Sequence, residues 1–389
     1  MGKEYIAMRH AFVIASVLCL GTFGFGVAHA EDDQGPFVGT LGKSPIVLRL
    51  YTNDGKKVGR YFYRTKGIDI GLIANGKNNE YIECALDGGN NEPETCDKPT
   101  GYWTLSIQGE NANGTWRKTP QATDALSVAL TRQCSECANT SDPSGAIEKA
   151  YAQLRAAAPK QMLPKQSSSD DGAVTWQFMQ EKRSGATIPQ LVKAPTNDAM
   201  RKINDDLKHE FAQDIDATLS SKPDGEASCE YTIPFANAHI FVVDSSCEWD
   251  TPGAAHPGSS WETVTYDLAT GQPLDWTQWL RFPDAAAANF DFTTGKDIVS
   301  LALRHEASKR NDGDCGQVAF ESYSCEGNTC SNYGHDGKWK DAISFSPRKS
   351  GLFVAFNNYP EVARNCRGKG FILPWNAVHA LQTKPRQLP

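Results

Sequence analysis

The sequence predicts an α+β protein: a small antiparallel β-barrel or sandwich domain, followed by an α+β domain with an antiparallel sheet and packed helices. Three observations carry that expectation. Short β-rich runs separated by turn signals fill residues 35–133. A single long helical pattern then runs from Asn197 to Leu219. Further short strands follow to the end, so strands and helices are segregated rather than alternating as in a parallel sheet.

Taken in order, residues 1–30 read as a cleavable signal peptide. Arg9 and His10 precede an apolar run from Ala11 to Val27, and Ala28-His29-Ala30 closes it. A positive flank, an apolar middle and an A-x-A end are the parts of a secretory signal. The run is short and broken by Gly21, Gly24 and Gly26, which favours cleavage over a membrane anchor. Cys19 follows Leu18, where lipid attachment wants a small residue. No later segment is apolar enough to span a membrane. The expected product is periplasmic or secreted, with no stable membrane insertion after cleavage.

In the β domain, strands are predicted at Ile46–Tyr51, Val58–Arg64, Tyr81–Ala85, Tyr102–Gln108 and Ala125–Leu130. Turns are predicted at Asn53-Asp54-Gly55, Asp87-Gly88-Gly89 and Asn113-Gly114. Residues 134–172 read as a connector. Asp142-Pro143-Ser144-Gly145 opens a helix over Ala146–Ala158, and Pro159, Pro164 and Ser167–Asp171 read as a linker.

The second domain, residues 173–389, opens on a strand at Val174–Met179. Met200, Ile203, Leu207, Phe211, Ile215 and Leu219 then recur at helical spacing, with Thr196 or Asn197 as the cap. Strands are predicted at Tyr231–Pro234, Ile240–Val243 and Trp261–Asp267, with a turn at Ala269-Thr270-Gly271. A helix at Lys296–Lys309 and strands at Ile343–Phe345, Leu352–Phe356 and Gly370–Leu373 complete it.

Ten cysteines lie beyond the leader: Cys84, Cys96, Cys134, Cys137, Cys229, Cys247, Cys315, Cys325, Cys330 and Cys366. An even set in an exported chain reads as disulfides. Neighbours in sequence are the favoured partners, which predicts 84–96, 134–137 and 229–247. Three connectivities remain open for the last four. The net charge is −7, becoming about −8 without the leader. No basic face recommends nucleic-acid binding; a mildly acidic surface suits a basic protein partner.

Several stretches of the second domain carry a resemblance. They are Ile188-Pro189-Gln190-Leu191, the helix from Ile203-Asn204, Gly253-Ala254-Ala255-His256-Pro257-Gly258, and Tyr266–Gly271 with Leu274, Trp276 and Trp279-Leu280. Ile343–Ser346, Leu352–Phe356, Tyr359 and Pro374-Trp375 extend it. Together, over about Gly185–Trp375, they resemble an extracytoplasmic α+β domain of unknown function. That domain is shared with a lysozyme-sensing anti-sigma factor and a peptidoglycan deacetylase. The resemblance implies a binding or sensing module associated with lysozyme recognition; cell-wall glycan is the other expected partner. The sequence departs from the family pattern at Gly253-Ala254, where relatives often carry a second glycine, and in Cys229 and Cys247.

The candidate binding residues are His256 and Gly253 in that loop, with Trp249 and Trp261 flanking it. Glycine freedom beside aromatic and polar groups suits recognition. The competing reading gives His256 a neighbouring carbonyl and makes Trp249, Trp261, Trp276 and Trp279 packing residues rather than a sugar platform.

No catalytic residue is assigned. Cys134-x-x-Cys137 lacks the second pair a zinc site needs and the βαβ context of a redox site, so a local disulfide is expected. Cys366 sits among Arg364, Arg367 and Lys369; as a thiolate with His335 it would be nucleophilic, but a bridge within its cluster is expected. G-x-S-x-G and H-E-x-x-H are absent, and His305-Glu306 point to different helix faces. Asn311-Asp312-Gly313-Asp314 reads as a turn-rich loop rather than a calcium site. No metal or cofactor is expected. The expectation is therefore an exported, non-catalytic binding protein of the bacterial envelope. The alternative is a peptidoglycan-active hydrolase or transferase with an unrecognised site.

Overall fold

Residues 34–53 show how the first half closes. In the computed structural model, β1 (Gln34–Leu41) and β2 (Ser44–Asn53) form the first hairpin of an eight-stranded antiparallel meander. It continues through β3 (Lys56–Tyr63), β4 (Asp69–Ala74), β5 (Glu80–Ala85), β6 (Gly101–Gln108), β7 (Asn111–Arg117) and β8 (Leu126–Arg132). Strand β8 pairs back with β1, so the sheet is a closed barrel without edges. The structure describes residues 34–383 apart from 77–78, 87–94, 135–136, 138–139, 223–224, 251–255, 284–288, 308–324, 327–328, 332–342, 357–365 and 367. The signal-peptide segment, the expected turn at Asp87-Gly88-Gly89, Cys315, Asn311–Asp314 and Tyr359 all fall outside the described residues.

Alternation along the strands sorts the two barrel faces. Ile46, Leu48, Leu50, Tyr61, Leu72, Trp103 and Leu105 fill the interior. Between them Val47 and Phe62 point outwards, yet both are fully buried against Tyr151. That cover comes from α1 (Pro143–Ala156), which lies on the outside of the barrel and is capped by Asp142. Strand β2 is thus buried without a break from Ile46 to Tyr51, Arg49 included, because both of its faces are covered. The Asp54-Gly55 turn has φ of 48° and 76°, the left-handed pair of a two-residue hairpin. Asn113-Gly114 is not a turn. It lies inside β7, where a Cβ on Gly114 would sit 1.9 Å from Thr104 O, so the glycine there serves strand approach.

The stretch expected as linker is also structured. Lys160–Ser168 is β9, paired with β10 (Thr175–Glu181), which pairs with β11 (Thr187–Lys193). Pro164 is accommodated because β9 is an edge strand. The long helix α2 (Asn197–Ser220) follows. Thr196 Oγ1 accepts from Ala199 N at 3.2 Å, and the buried stripe is Ile203, Leu207, Phe211, Ile215 and Leu219. Asn204 clamps β11 by accepting from Leu191 N (2.8 Å) and donating to Leu191 O (2.9 Å).

Helix α2 backs a second sheet of β12 (Glu226–Ala236), β13 (Ile240–Asp250), β14 (Gly258–Asp267) and the short β15 (Gln272–Pro273). Phe241, Val243, Tyr231 and Tyr266 from this sheet join the α2 stripe in one core. A neighbouring core gathers around α3 (Ile298–Ala307) and the meander β19 (Ile343–Arg348), β20 (Gly351–Phe356) and β21 (Gly370–Leu373), before the short α4 (Trp375–His379). Three-residue β16 (Asn289–Asp291), with β17 (Cys325–Glu326) and β18 (Thr329–Ser331), forms a small sheet of its own. The described residues belong to one unit, Asp32–Pro389, and the fold is α+β as the sequence predicts.

The barrel is joined to the rest by charge. Arg155 of α1, only 2 % exposed at its side chain, reaches Asp69 on β4 and Asp216 on α2, the latter at 2.8 Å. Its guanidinium also stacks over Phe62 and Tyr151. Arg183, in the β10–β11 turn, donates to Arg64 O of the barrel at 2.8 Å and to Arg155 O. Arg183 is itself held by buried Glu181, which accepts from Arg183 Nε (2.7 Å), Ser184 N (2.8 Å) and Ser184 Oγ (2.8 Å).

Burial works to raise the Glu181 pKa, but these donors prevail and hold it below its ordinary value of 4.5. A depressed carboxylate contributes stability that is present above pH 4.5 and lost as the pH falls through the lowered value. The expected result is that Glu181→Gln flattens the acid limb of stability against pH while leaving its shape above about pH 6 unchanged, because Glu181 is ionised there in the folded and the unfolded chain alike. Denaturant midpoints at a series of pH values read this directly.

Candidate functional site

The end of β12–β14 farthest from the 237–239 turn is where the sheet leaves its core. Residues at the turn end of β13, Ile240 to Asp244, are all buried. From Ser245 to Asp250 burial alternates, half-buried on one face and exposed on the other. Register assigns the faces. Cys229–Cys247 and Tyr231–Ser245 pair on the side packed by α2, where Tyr231 donates to Asp214 of the helix. Glu226–Asp250, Ser228–Glu248 and Glu230–Ser246 pair on the other side.

That other side is an acidic face. Glu226, Glu230, Glu248 and Asp250 are all exposed there, and Glu226 stands directly opposite Asp250. Like charges at directly paired positions repel, at a cost of about 1 kcal/mol or less in water. Among the described residues none of the four makes a salt bridge. Trp261 joins the same face, paired with Ser246. Its ring meets Phe353 of β20 edge-on at 5.5 Å.

The base of the face is rigid. Asp244, 6 % exposed, accepts from Ser346 Oγ at 2.7 Å and pairs with the Arg348 guanidinium. Arg348 lies over the Phe353 ring, and its carbonyl accepts from Trp375 Nε1 at 3.1 Å. A buried ion pair and two aromatic contacts therefore fix where the sheet projects.

The four sequence candidates do not converge. Trp249 and Trp261 point to opposite faces, because Trp249 shares the α2 side with Cys247 while Trp261 pairs with Ser246. Trp249 covers Gly258, where a Cβ would sit 2.2 Å from the indole, so it caps the sheet end. His256 Nδ1 lies 3.4 Å from the Pro257 carbonyl. Gly253 is outside the described residues. Trp276 and Trp279 pack on the α3 core, Trp276 against Phe345 at 5.6 Å. Only Trp261 belongs to the acidic face. Sequence reasoning missed the four carboxylates, although alternate positions of two paired strands carry them. The signal was period two in charge rather than in hydrophobicity.

The cysteines are structural where they are described. Cys84–Cys96, Cys134–Cys137 and Cys229–Cys247 are disulfides, as expected from their spacing. Cys366 is also disulfide-bonded, which removes it as a nucleophile. Cys325 and Cys330 are register partners across β17 and β18. Asp214, Cys229 and Cys247 lie close enough together to suggest metal ligands, but both sulfurs are committed to the bridge.

Two further polar sites belong to the frame. Inside the barrel, buried Glu83 accepts from Tyr61 Oη (2.7 Å), Trp103 Nε1 (3.0 Å), Trp116 Nε1 (2.8 Å) and Thr100 Oγ1 (2.8 Å). Burial, then the Glu83 charge, pushes the Tyr61 phenol well above its ordinary range. A cleft of about 350 Å³ beside α2 is lined by Lys202, Asp205, Asp206, His209, Gly271, Gln272 and Pro273. Two of its polar groups are already engaged by neighbours outside it: Asp206 accepts from Tyr266 Oη at 2.6 Å and Lys202 donates to Thr270 O at 3.2 Å.

Fold and site together define an α+β chain in which a filled barrel buttresses a helix-backed sheet with an open acidic face. No family model and no curated protein matches the sequence. Solved structures similar to it include two DUF3298 proteins. One is a DUF3298 family protein from Pseudomonas aeruginosa, 12% identical with a TM-score of 0.32, covering 58% of this chain and 94% of that one. The other is a DUF3298 family member from Bacteroides fragilis, 10% identical with a TM-score of 0.32, covering 59% and 94%.

Proposed function

We propose that this chain is an exported, non-catalytic binding protein of the bacterial envelope that captures a basic protein on the acidic face of β12–β14. The observation that carries the reading is the set of four exposed carboxylates, Glu226, Glu230, Glu248 and Asp250, on one side of a braced sheet. Such a field raises the encounter rate with a cationic partner and disfavours anionic ones. Trp261, half-buried at the edge of the field, supplies the aromatic anchor that interfaces concentrate their energy on. A cell-wall glycan carrying peptide carboxylates suits the same face less well.

Export rests on the leader sequence and is supported by four disulfide-bonded positions in the second domain and connector, Cys134, Cys137, Cys229 and Cys247. No helix among the described residues is long and apolar enough to cross a membrane. Lysozyme, a small basic protein that attacks the cell wall, is the test partner. Mixed with the chain from Glu31 onward, it is expected to co-elute at low ionic strength and to lose muramidase activity in proportion. Separate elution with full muramidase activity removes lysozyme as the partner. A pull-down from envelope extract and host fluid that returns no basic protein removes the wider reading.

A further inference from the structure

We infer that the Cys229–Cys247 disulfide is a redox gate that assembles the acidic face only after oxidation; the consequence for binding rests on the function proposed above. Three observations place the bond. Its cysteines are direct register partners, so it ties β12 to β13 across the ladder. It lies on the α2 side, at the point where the strands leave the core. Beyond it, Glu226–Ser228 and Glu248–Asp250 contain no buried side chain, and Glu226 repels Asp250 across the pair. There β13 is still paired with β14, whereas β12 is the edge strand and is held by β13 alone; a single strand pairing with little apolar backing is marginal in water. Of the four carboxylates, Glu226, Glu248 and Asp250 all sit in that dependent segment. The bond therefore fixes the spacing that makes the carboxylates one field.

The chemistry is thiol–disulfide exchange. The Cys229 or Cys247 thiolate, having lost its proton, attacks a small-molecule or protein disulfide. One thiolate leaves and the chain holds a mixed disulfide. The second cysteine, deprotonated in turn, displaces the remaining sulfur. The chain gains one S–S bond, and the oxidant departs as two thiols. Before oxidation, a Cys229 S–H would donate to Asp214, whose Oδ1 already lies 3.5 Å from that sulfur and whose other oxygen accepts from Tyr231. After oxidation this is a packing contact alone, since the disulfide has no proton to give. The reduced pair is thus held at the helix, while the edge strand β12 beyond it is free to part from β13.

The test compares the oxidised chain with the Cys229→Ser/Cys247→Ser variant by hydrogen exchange and by lysozyme capture. Amides of residues 226–230 and 246–250 are expected to exchange many-fold faster in the variant, with those of the barrel strands unchanged and lysozyme capture weakened. Unchanged exchange in those two segments overturns the gate. Faster exchange with undiminished capture overturns its control of binding. Should the variant fail to fold, wild-type chain reduced by limiting dithiothreitol, with the freed thiols alkylated and mapped, provides the same comparison. If the oxidised chain captures no lysozyme at all, it is the binding proposal that fails; the exchange result still decides whether the bond assembles the face.

Discussion

Arg155→Met is expected to destabilise the chain by about 3–5 kcal/mol, the cost of removing one member of a buried charge set. The arginine ion-pairs with both Asp69, on the barrel, and Asp216, on the long helix. Without it the Asp69 carboxylate, fully buried, keeps the Tyr151 hydroxyl at 2.8 Å and Arg60 at 3.8 Å. Neither replaces the lost ion pair. Burial already raises the Asp216 pKa, with Arg155 opposing the rise, so the substitution pushes that carboxyl further towards its neutral form. Urea midpoints at pH 7 measure the loss. The double variant Arg155→Met/Asp69→Asn is expected to recover part of it, because the uncompensated charge goes with its partner. A loss below about 1 kcal/mol would mean that the Arg155 ion pairs contribute little to the seam.

Glu83→Ala is the second large effect, at about 3–5 kcal/mol. Four donors converge on that carboxylate, and orphaning a buried donor costs about 1–3 kcal/mol, less wherever water can enter. Tyr61 and Trp103 are almost completely buried, which keeps water away from at least two of them. Glu83→Gln should cost less, since one oxygen still accepts, although its amide turns donors towards donors. Near-ultraviolet circular dichroism reports the site through Trp103 and Trp116. The expected result is loss of their fixed signal in the alanine variant with the far-ultraviolet spectrum retained. An unchanged tryptophan signal would show that the carboxylate does not orient them.

The hydrophobic period made most of the architecture legible. Helix α2 was predicted within a residue because its stripe of Ile203, Leu207, Phe211, Ile215 and Leu219 is regular and Thr196 is a strong cap. Strands β1, β4 and β7 were harder. Gln34–Leu41 and Asn111–Arg117 carry glycines and polar residues that read as turn, because barrel strands tolerate glycine where a neighbour approaches closely. Strand β9 was hidden by Pro164 and its serines, which only an edge position permits. Three disulfides followed from spacing alone.

The site was the least legible part. Its defining contacts join residues far apart in sequence: Arg348 meets Asp244, and Trp261 meets Phe353. The loop motif around His256 stands out in the sequence because of its glycines and histidine. Yet what the fold exposes is a row of ordinary glutamates whose significance depends on strand register. A period-two pattern states which residues share a face; it does not say which face a helix covers. That second fact came only from α2 packing on the Cys229 side.

The affinity for lysozyme as a function of ionic strength, for the wild-type chain and for Glu226→Gln/Glu230→Gln/Glu248→Gln/Asp250→Asn, bears most directly on the proposed function. Capture through the acidic face predicts wild-type binding that weakens steeply with salt. It also predicts a variant roughly tenfold or more weaker at low salt, with a nearly flat salt response. Equal affinities and equal salt slopes for the two chains would contradict it.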